Sequence, residues 1–157
     1  MLERLRPDHA QLVLAFEREN RAYFAASIPD RGDDYFAHFE ELHRARIAEQ
    51  EAGVCHFHLV VEGGEVLGRV NLVDVTDGSA ELGFRIAEKA AGRGLATAAV
   101  REVSKLAATT YGLTTLHAAA TLDNIGSRTV LTRTGFVQTG DQFTLNDKPA
   151  LRYLLQL

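Results

Sequence analysis

The sequence predicts an α/β domain on three observations. Residues 80–86 alternate apolar and polar side chains as a strand does, then pass through a glycine-bearing turn straight into a helical pattern. Upstream, turns at Gly63-Gly64 and Asp77-Gly78 separate strand-like runs, which reads as an antiparallel meander. Downstream, a strand-like run from Thr114 feeds a second helical pattern, and two further strand-like runs close the chain.

Taken in order, Leu2 to Arg6 alternates apolar and charged residues and predicts a short edge strand. Asp8, with Gln11 at the capping-box position, predicts a helix to about Ala26 that buries Val13, Phe16 and Phe24. Residues 28–32 read as a loop. Asp33 or Asp34 then caps a second helix ending near Gly53, with Tyr35, Phe36, Phe39, Leu42 and Ile47 on its apolar face. The acidic cluster Asp30, Asp33 and Asp34 is ordinary helix-start chemistry, or else a field that steers a cationic amine.

Residues 54–62 and 65–74 read as hairpin partners. His56 and His58 share one strand face, which is metal-like spacing. No third ligand accompanies them, so they are expected on a solvated or acceptor-lining face, and no metal is expected. Cys55 reads as a small core residue. After the central helix, Tyr111-Gly112 ends the run and residues 114–121 form a strand. Asn124 caps a helix through Thr134, stopped by Gly135. Residues 137–145 and 150–157 read as final strands, which offer an edge for a possible homodimer.

At 157 residues, with no internal repeat or linker, the chain is one domain, 1–157. A net charge of −4 without a basic run argues against nucleic-acid binding. One cysteine excludes an internal disulfide and a cysteine-based zinc site. No apolar run is long enough to span a bilayer, and the reading is a cytoplasmic protein with no membrane partner.

The turn at residues 89–94 carries the chemistry. A strand entering a helix through Gly92-Arg93-Gly94 leaves the first helical N–H groups unpaired at the positive end of the helix dipole, a site for phosphate or pyrophosphate. Gly92 and Gly94 allow close approach to the backbone, and Arg93 adds positive charge. The dinucleotide fingerprint fails, because Thr97 stands at its third glycine and Thr114 near its acidic position. A P-loop fails because Gly63 to Gly68 continues with Arg69-Val70. By itself, the turn is equally consistent with a plain strand-to-helix connection.

Lys89-x-x-Gly92-x-Gly94-x-Ala96 resembles the acyl-CoA pyrophosphate signature of the GNAT N-acetyltransferase superfamily, usually Gln/Arg-x-x-Gly-x-Gly/Ala. Asn124-x-x-Ser127-x-x-Val130-Leu131-x-x-x-Gly135-Phe136 resembles that family's closing motif. Glu81-Leu82-Gly83-Phe84 and the run Gly92 to Thr97 resemble the branch of ribosomal-protein N-terminal alanine acetyltransferases. The resemblance spans roughly residues 54–136.

That resemblance implies a GNAT-type fold: a mixed, mostly antiparallel central sheet with a splayed strand pair and helices on both faces. It implies acetyl transfer from acetyl-CoA to a primary amine, a protein N-terminus or a small molecule, by direct attack in a ternary complex. Main-chain groups of Phe84, Arg85 and Ile86 would pair with the pantetheine arm. The backbone of Gly92, Arg93, Gly94, Leu95, Ala96 and Thr97 would hold the pyrophosphate, and Asn124 would contact the CoA arm. Ser127 falls on the branch's serine beside the CoA sulfur, as acid or hydrogen-bond donor.

For the base, Glu81 and His117 point from the two splaying strands and are both candidates, acting through a water. Glu81 has an alternative in an ion pair with Arg85 or Arg101, and His117 in merely lining the pocket. One departure stands out: the branch often carries an acidic residue in the final hairpin, where this chain reads Gln142-Phe143-Thr144-Leu145 with only Asp141 nearby. The rival functions are a non-catalytic acyl-CoA-binding or sensing module and a pure interaction domain.

Overall fold

The computed structural model describes residues 1–157. Seven strands form one sheet: β1 (Leu2–Arg4), β2 (His56–Glu62), β3 (Glu65–Thr76), β4 (Ser79–Ile86), β5 (Thr115–Thr121), β6 (Val137–Leu145) and β7 (Lys148–Gln156). Their order is β1-β2-β3-β4-β5-β7-β6, and only the β4–β5 pair is parallel. The mixed, mostly antiparallel sheet is the one the sequence implied. The hairpin turns at Gly63-Gly64 and Asp77-Gly78 fall where the sequence puts them. The β6–β7 turn is Asn146-Asp147, both at positive φ, as a two-residue hairpin of this hand requires.

The helices are α1 (Ala10–Glu19), α2 (Arg21–Ala25), α3 (Asp33–Ala37), α4 (Phe39–Glu51), α5 (Leu95–Thr109) and α6 (Ile125–Arg133). Each of the two long helices expected before β2 is broken. The first is interrupted at Asn20, whose Nδ2 donates to the Phe16 carbonyl at 2.9 Å while its Oδ1 accepts from the Glu88 N–H at 3.0 Å. A buried asparagine thus bends the chain and ties the α1–α2 corner to the end of β4. The second breaks at His38, and its N-cap is Gly32, not an aspartate. Asp8 lies inside a 3-10 turn and bonds the Arg6 side chain, so it does not cap α1.

Alternation assigns the two sheet faces. Arg69 and Arg85, paired across β3 and β4, point toward α1. Val70, Leu72, Ala80 and Leu82 point the other way into the core, where α5 packs with Val100, Val103 and Ala107. No helix is long and apolar enough to cross a membrane.

The histidine pair corrects an expectation. His56 and His58 are buried, not solvated, because their strand face is covered by the segment that follows α5. His56 stacks on Tyr111 with ring centroids 3.7 Å apart, and Arg4 Nη1 donates to the Tyr111 hydroxyl at 2.7 Å. His58 Nδ1 lies 3.2 Å from the Val70 carbonyl and its Nε2 faces the Tyr111 hydroxyl. No group of three or more metal-ligating side chains gathers anywhere in the chain.

Burial, with Arg4 and His56 adding to it, pushes the His58 pKa down from 6.5 to about 4. The folded state therefore binds fewer protons than the unfolded chain between those values. Stability from neutral His58 is complete above about pH 6.5 and is lost as pH falls through about 4. The loss amounts to about 3 kcal/mol at full protonation. Urea denaturation at pH 7.5 and pH 4.5 is expected to show most of it, and His58→Gln is expected to flatten that pH dependence.

Candidate functional site

β4 and β5 share three paired rungs, Ser79 with Thr115, Ala80 with Leu116 and Glu81 with His117. Beyond them β4 continues to Ile86 and β5 to Thr121 without pairing, each held on its outer side by β3 and β7. Two strands that start paired and then separate leave a wedge with unpaired backbone groups on its walls. A cavity of about 740 Å³ fills it. Its walls are residues 82–86 of β4 and 118–121 of β5, its ends the turn before α5, the α2 end with residues 26–29, and the β6–β7 hairpin.

At one end lies the N-terminus of α5. Gly94 is its N-cap, at φ 75°, and no side chain caps the helix. A left-handed residue at the cap aims the N–H groups of the first turn outward, and glycine adopts that conformation without strain. Gly92 stands at φ 78°. A Cβ built at either glycine meets no protein atom within 4 Å, so the space above the turn is open to a ligand. Gly92, Gly94, Leu95, Ala96 and Thr97 all border the cavity, as do Phe84, Arg85 and Ile86. Arg93 does not. Its guanidinium turns outward and pairs with Glu62 at 3.0 Å, so its charge is directed away from the cavity.

Across the wedge, Asn124 caps α6 by accepting the Ser127 N–H on Oδ1 at 3.2 Å. Both residues line the cavity. The cap fixes the first turn of α6, and with it the position of Ser127, beside β5.

Glu81 and His117 are placed otherwise. They form the last paired rung at the apex of the wedge, on the α1 face, and neither lines the cavity. The alternative ion pairs for Glu81 do not form. Arg85 is bonded to Glu17, and Arg101 donates to the Arg133 carbonyl. Cys55 is buried, and burial with the nearby Glu49 raises its thiol pKa, the opposite of an activated nucleophile.

The sequence reading missed Glu17. This carboxylate is 1% exposed on α1 and is surrounded by three guanidinium groups. Arg31 Nε and Arg85 Nη1 donate to its Oε1 at 3.0 and 3.1 Å, and Arg69 Nη1 donates to Oε2 at 2.8 Å. Burial alone would raise the Glu17 pKa, but the three arginines overcome it and hold the carboxyl below its usual range. Burial pulls Arg85 down to about 10, Glu17 resisting, so it stays charged at neutral pH. Its spacing after Val13 and Phe16 puts Glu17 on the helical stripe, but the three arginines that hold it come from elsewhere in the chain.

The acidic cluster is similarly committed within the fold. Asp30 accepts both Nε and Nη2 of Arg21, which hold its pKa down at about 2, and Asp33 accepts Nη2 at 2.8 Å.

The wedge, the uncapped helix start and the two motifs facing each other across it coincide with a family match. A family profile described as an acetyltransferase (GNAT) domain matches residues 1–137. The chain belongs to the GNAT acetyltransferase family. No curated protein matches it significantly.

Among solved structures, this acetyltransferase is similar to a ribosomal-protein-S5-alanine acetyltransferase from Vibrio fischeri. The TM-score is 0.93 at 17% identity, over 99% of this chain and 91% of that one. It is also similar to RimJ of Mycobacterium smegmatis, solved with CoA-disulfide, at TM-score 0.87 and 22% identity over 99% and 80% of the chains. A spermidine N-acetyltransferase variant from Vibrio cholerae matches at TM-score 0.80 and 17% identity over 99% and 94%. These likenesses establish the shared GNAT fold. The first and the third are named for different acceptors, a ribosomal-protein alanine and spermidine.

Proposed function

We propose that this chain is an acetyl-CoA-dependent N-acetyltransferase that acylates a primary amine, with no metal, by direct attack in a ternary complex. The observation that carries the reading is the parting of β4 and β5 beside the uncapped start of α5, in a chain of the GNAT family. The residues fit the group. The open space over Gly92 and Gly94 suits a pyrophosphate held by backbone N–H donors, with Leu95, Ala96 and Thr97 supplying the first helical turn. Main-chain groups of Phe84 and Ile86, on the side of β4 away from β3, with Arg85 between them paired to Arg69, suit an extended amide-bearing arm lying in the wedge as an added strand. Asn124 borders the same gap.

When bound, acetyl-CoA supplies a thioester-activated acyl carbon. An N–C bond forms as the C–S bond breaks; the amine gives up a proton and the sulfur gains one. Ser127 is assigned the hydrogen bond to the departing sulfur. Glu81 and His117, off the cavity wall, remain the candidates for taking the amine proton, through water. We place the enzyme in the cytoplasm on the sequence grounds above.

Free-thiol release tests the reading: it must require acetyl-CoA, an amine and this protein together. Ligand binding without thiol release from any amine would favour the non-catalytic acyl-CoA module. Ser127→Ala is expected to lower kcat about tenfold or more while leaving the Kd for acetyl-CoA within about twofold. Equal losses in both would contradict the assigned role.

A further inference from the structure

The charges along the wedge are unbalanced. Not one aspartate or glutamate lines the cavity, whose charged residues are Arg85, Arg133 and Lys148. In the final hairpin the cavity meets Asn146 and Lys148, the latter paired with Asp123 at 3.1 Å. On the α1 side, Glu17 alone faces Arg31, Arg69 and Arg85, an excess of two positive charges. The neighbouring Arg21 is answered by Asp30 and Asp33, so the local surplus remains positive.

Arg69 is 6% exposed, and its Nε has no hydrogen-bond partner. Three guanidinium groups around one carboxylate leave the cluster with a positive surplus. Arg85 is the member of the cluster that also borders the cavity; its guanidinium, bonded to Glu17, packs 4.7 Å over the ring of Phe24, a second wall residue.

We propose that the acceptor is an amine carrying its own anionic group, an acidic peptide N-terminus or an acidic amino acid, whose carboxylate is held at Arg85. This deepens, and rests on, the acetyl-transfer reading of the same site. The arrangement disfavours polycationic amines. A second ammonium group near Arg85 would enter a field of its own sign with no carboxylate to meet it.

The test separates recognition from turnover. N-acetylated products are titrated into the CoA-loaded protein by calorimetry, in matched sets of peptides Ala-Glu, Ala-Gln and Ala-Lys at the N-terminus, with N-acetylglutamate and N-acetylspermidine as small-molecule arms. The acidic compounds are expected to bind about tenfold or more tighter than their basic counterparts. The same order is expected in kcat/KM for the unacetylated amines, and the stronger of the two acidic arms identifies peptide or small molecule. Arg85→Gln is expected to erase the preference in the folded variant. Arg85→Lys, which keeps the charge should the glutamine variant not fold, is expected to retain part of it.

Equal or tighter binding of the basic compounds would overturn the proposal, as would an unchanged preference in folded Arg85→Gln. A charge preference without turnover would sustain anion recognition and remove the acetyl-transfer reading.

Discussion

Gly94→Val is expected to weaken acetyl-CoA binding by about a hundredfold, roughly 3 kcal/mol. Two effects act together. Gly94 sits at φ 75°, where a β-branched residue is strained, so relaxing the strain rotates the first N–H groups of α5 away from the wedge. If the backbone holds, the new Cβ occupies space that holds no protein atom within 4 Å, which is the space assigned to the pyrophosphate. Calorimetric titration of acetyl-CoA measures the loss. An unchanged Kd in a folded variant would show that the turn is only a connection between strand and helix.

Glu17→Ala is expected to cost about 3–5 kcal/mol of stability, because it leaves three buried or half-buried guanidinium groups facing one another without a counter-charge. For a domain of this size the melting temperature falls by roughly 10 °C. Adding Arg69→Met, which removes the most buried of the three charges, is expected to recover part of the loss. Urea denaturation of the single and double variants measures both. A loss below about 1 kcal/mol for Glu17→Ala would mean that the cluster is solvated and contributes little, in the manner of a surface ion pair.

What the sequence disclosed and what it hid divide along chain distance. Asn124 accepts the N–H of a residue three places on, Gly63-Gly64 closes a hairpin between adjacent strands, and Gly92 and Gly94 bend a single turn. Each is settled by its neighbours, so each was legible, and the wedge was implied by the family resemblance that two such motifs carry. The breaks at Asn20 and His38 were not. The Asn20 side chain is held by Glu88, 68 residues away, and its helix otherwise looks continuous.

Glu17 escaped for the same reason, since its partners lie 14, 52 and 68 residues along the chain. Nothing local distinguishes a glutamate on a buried stripe from one at its margin. His56 and His58 share a strand face in the sequence, but what covers that face is Tyr111, brought over by α5. The acidic cluster at residues 30–34 looked available to a cationic ligand until Arg21, on another helix, was seen to hold Asp30 and Asp33. Long-range charge pairing decides which charges face the acceptor, and it lies beyond any local pattern.

The most direct test of the central claim, that the wedge between β4 and β5 is an acyl-CoA site, is a thermal-shift titration with acetyl-CoA, CoA and NADP side by side. A ligand that binds the native state at a hundred times its Kd adds about 2.7 kcal/mol of stability, or several degrees in melting temperature. Acetyl-CoA and CoA are expected to give that rise and NADP none. No shift with saturating acetyl-CoA would contradict the account, leaving a GNAT fold that no longer holds the group its turn and wedge fit, and an interaction domain would become the better reading.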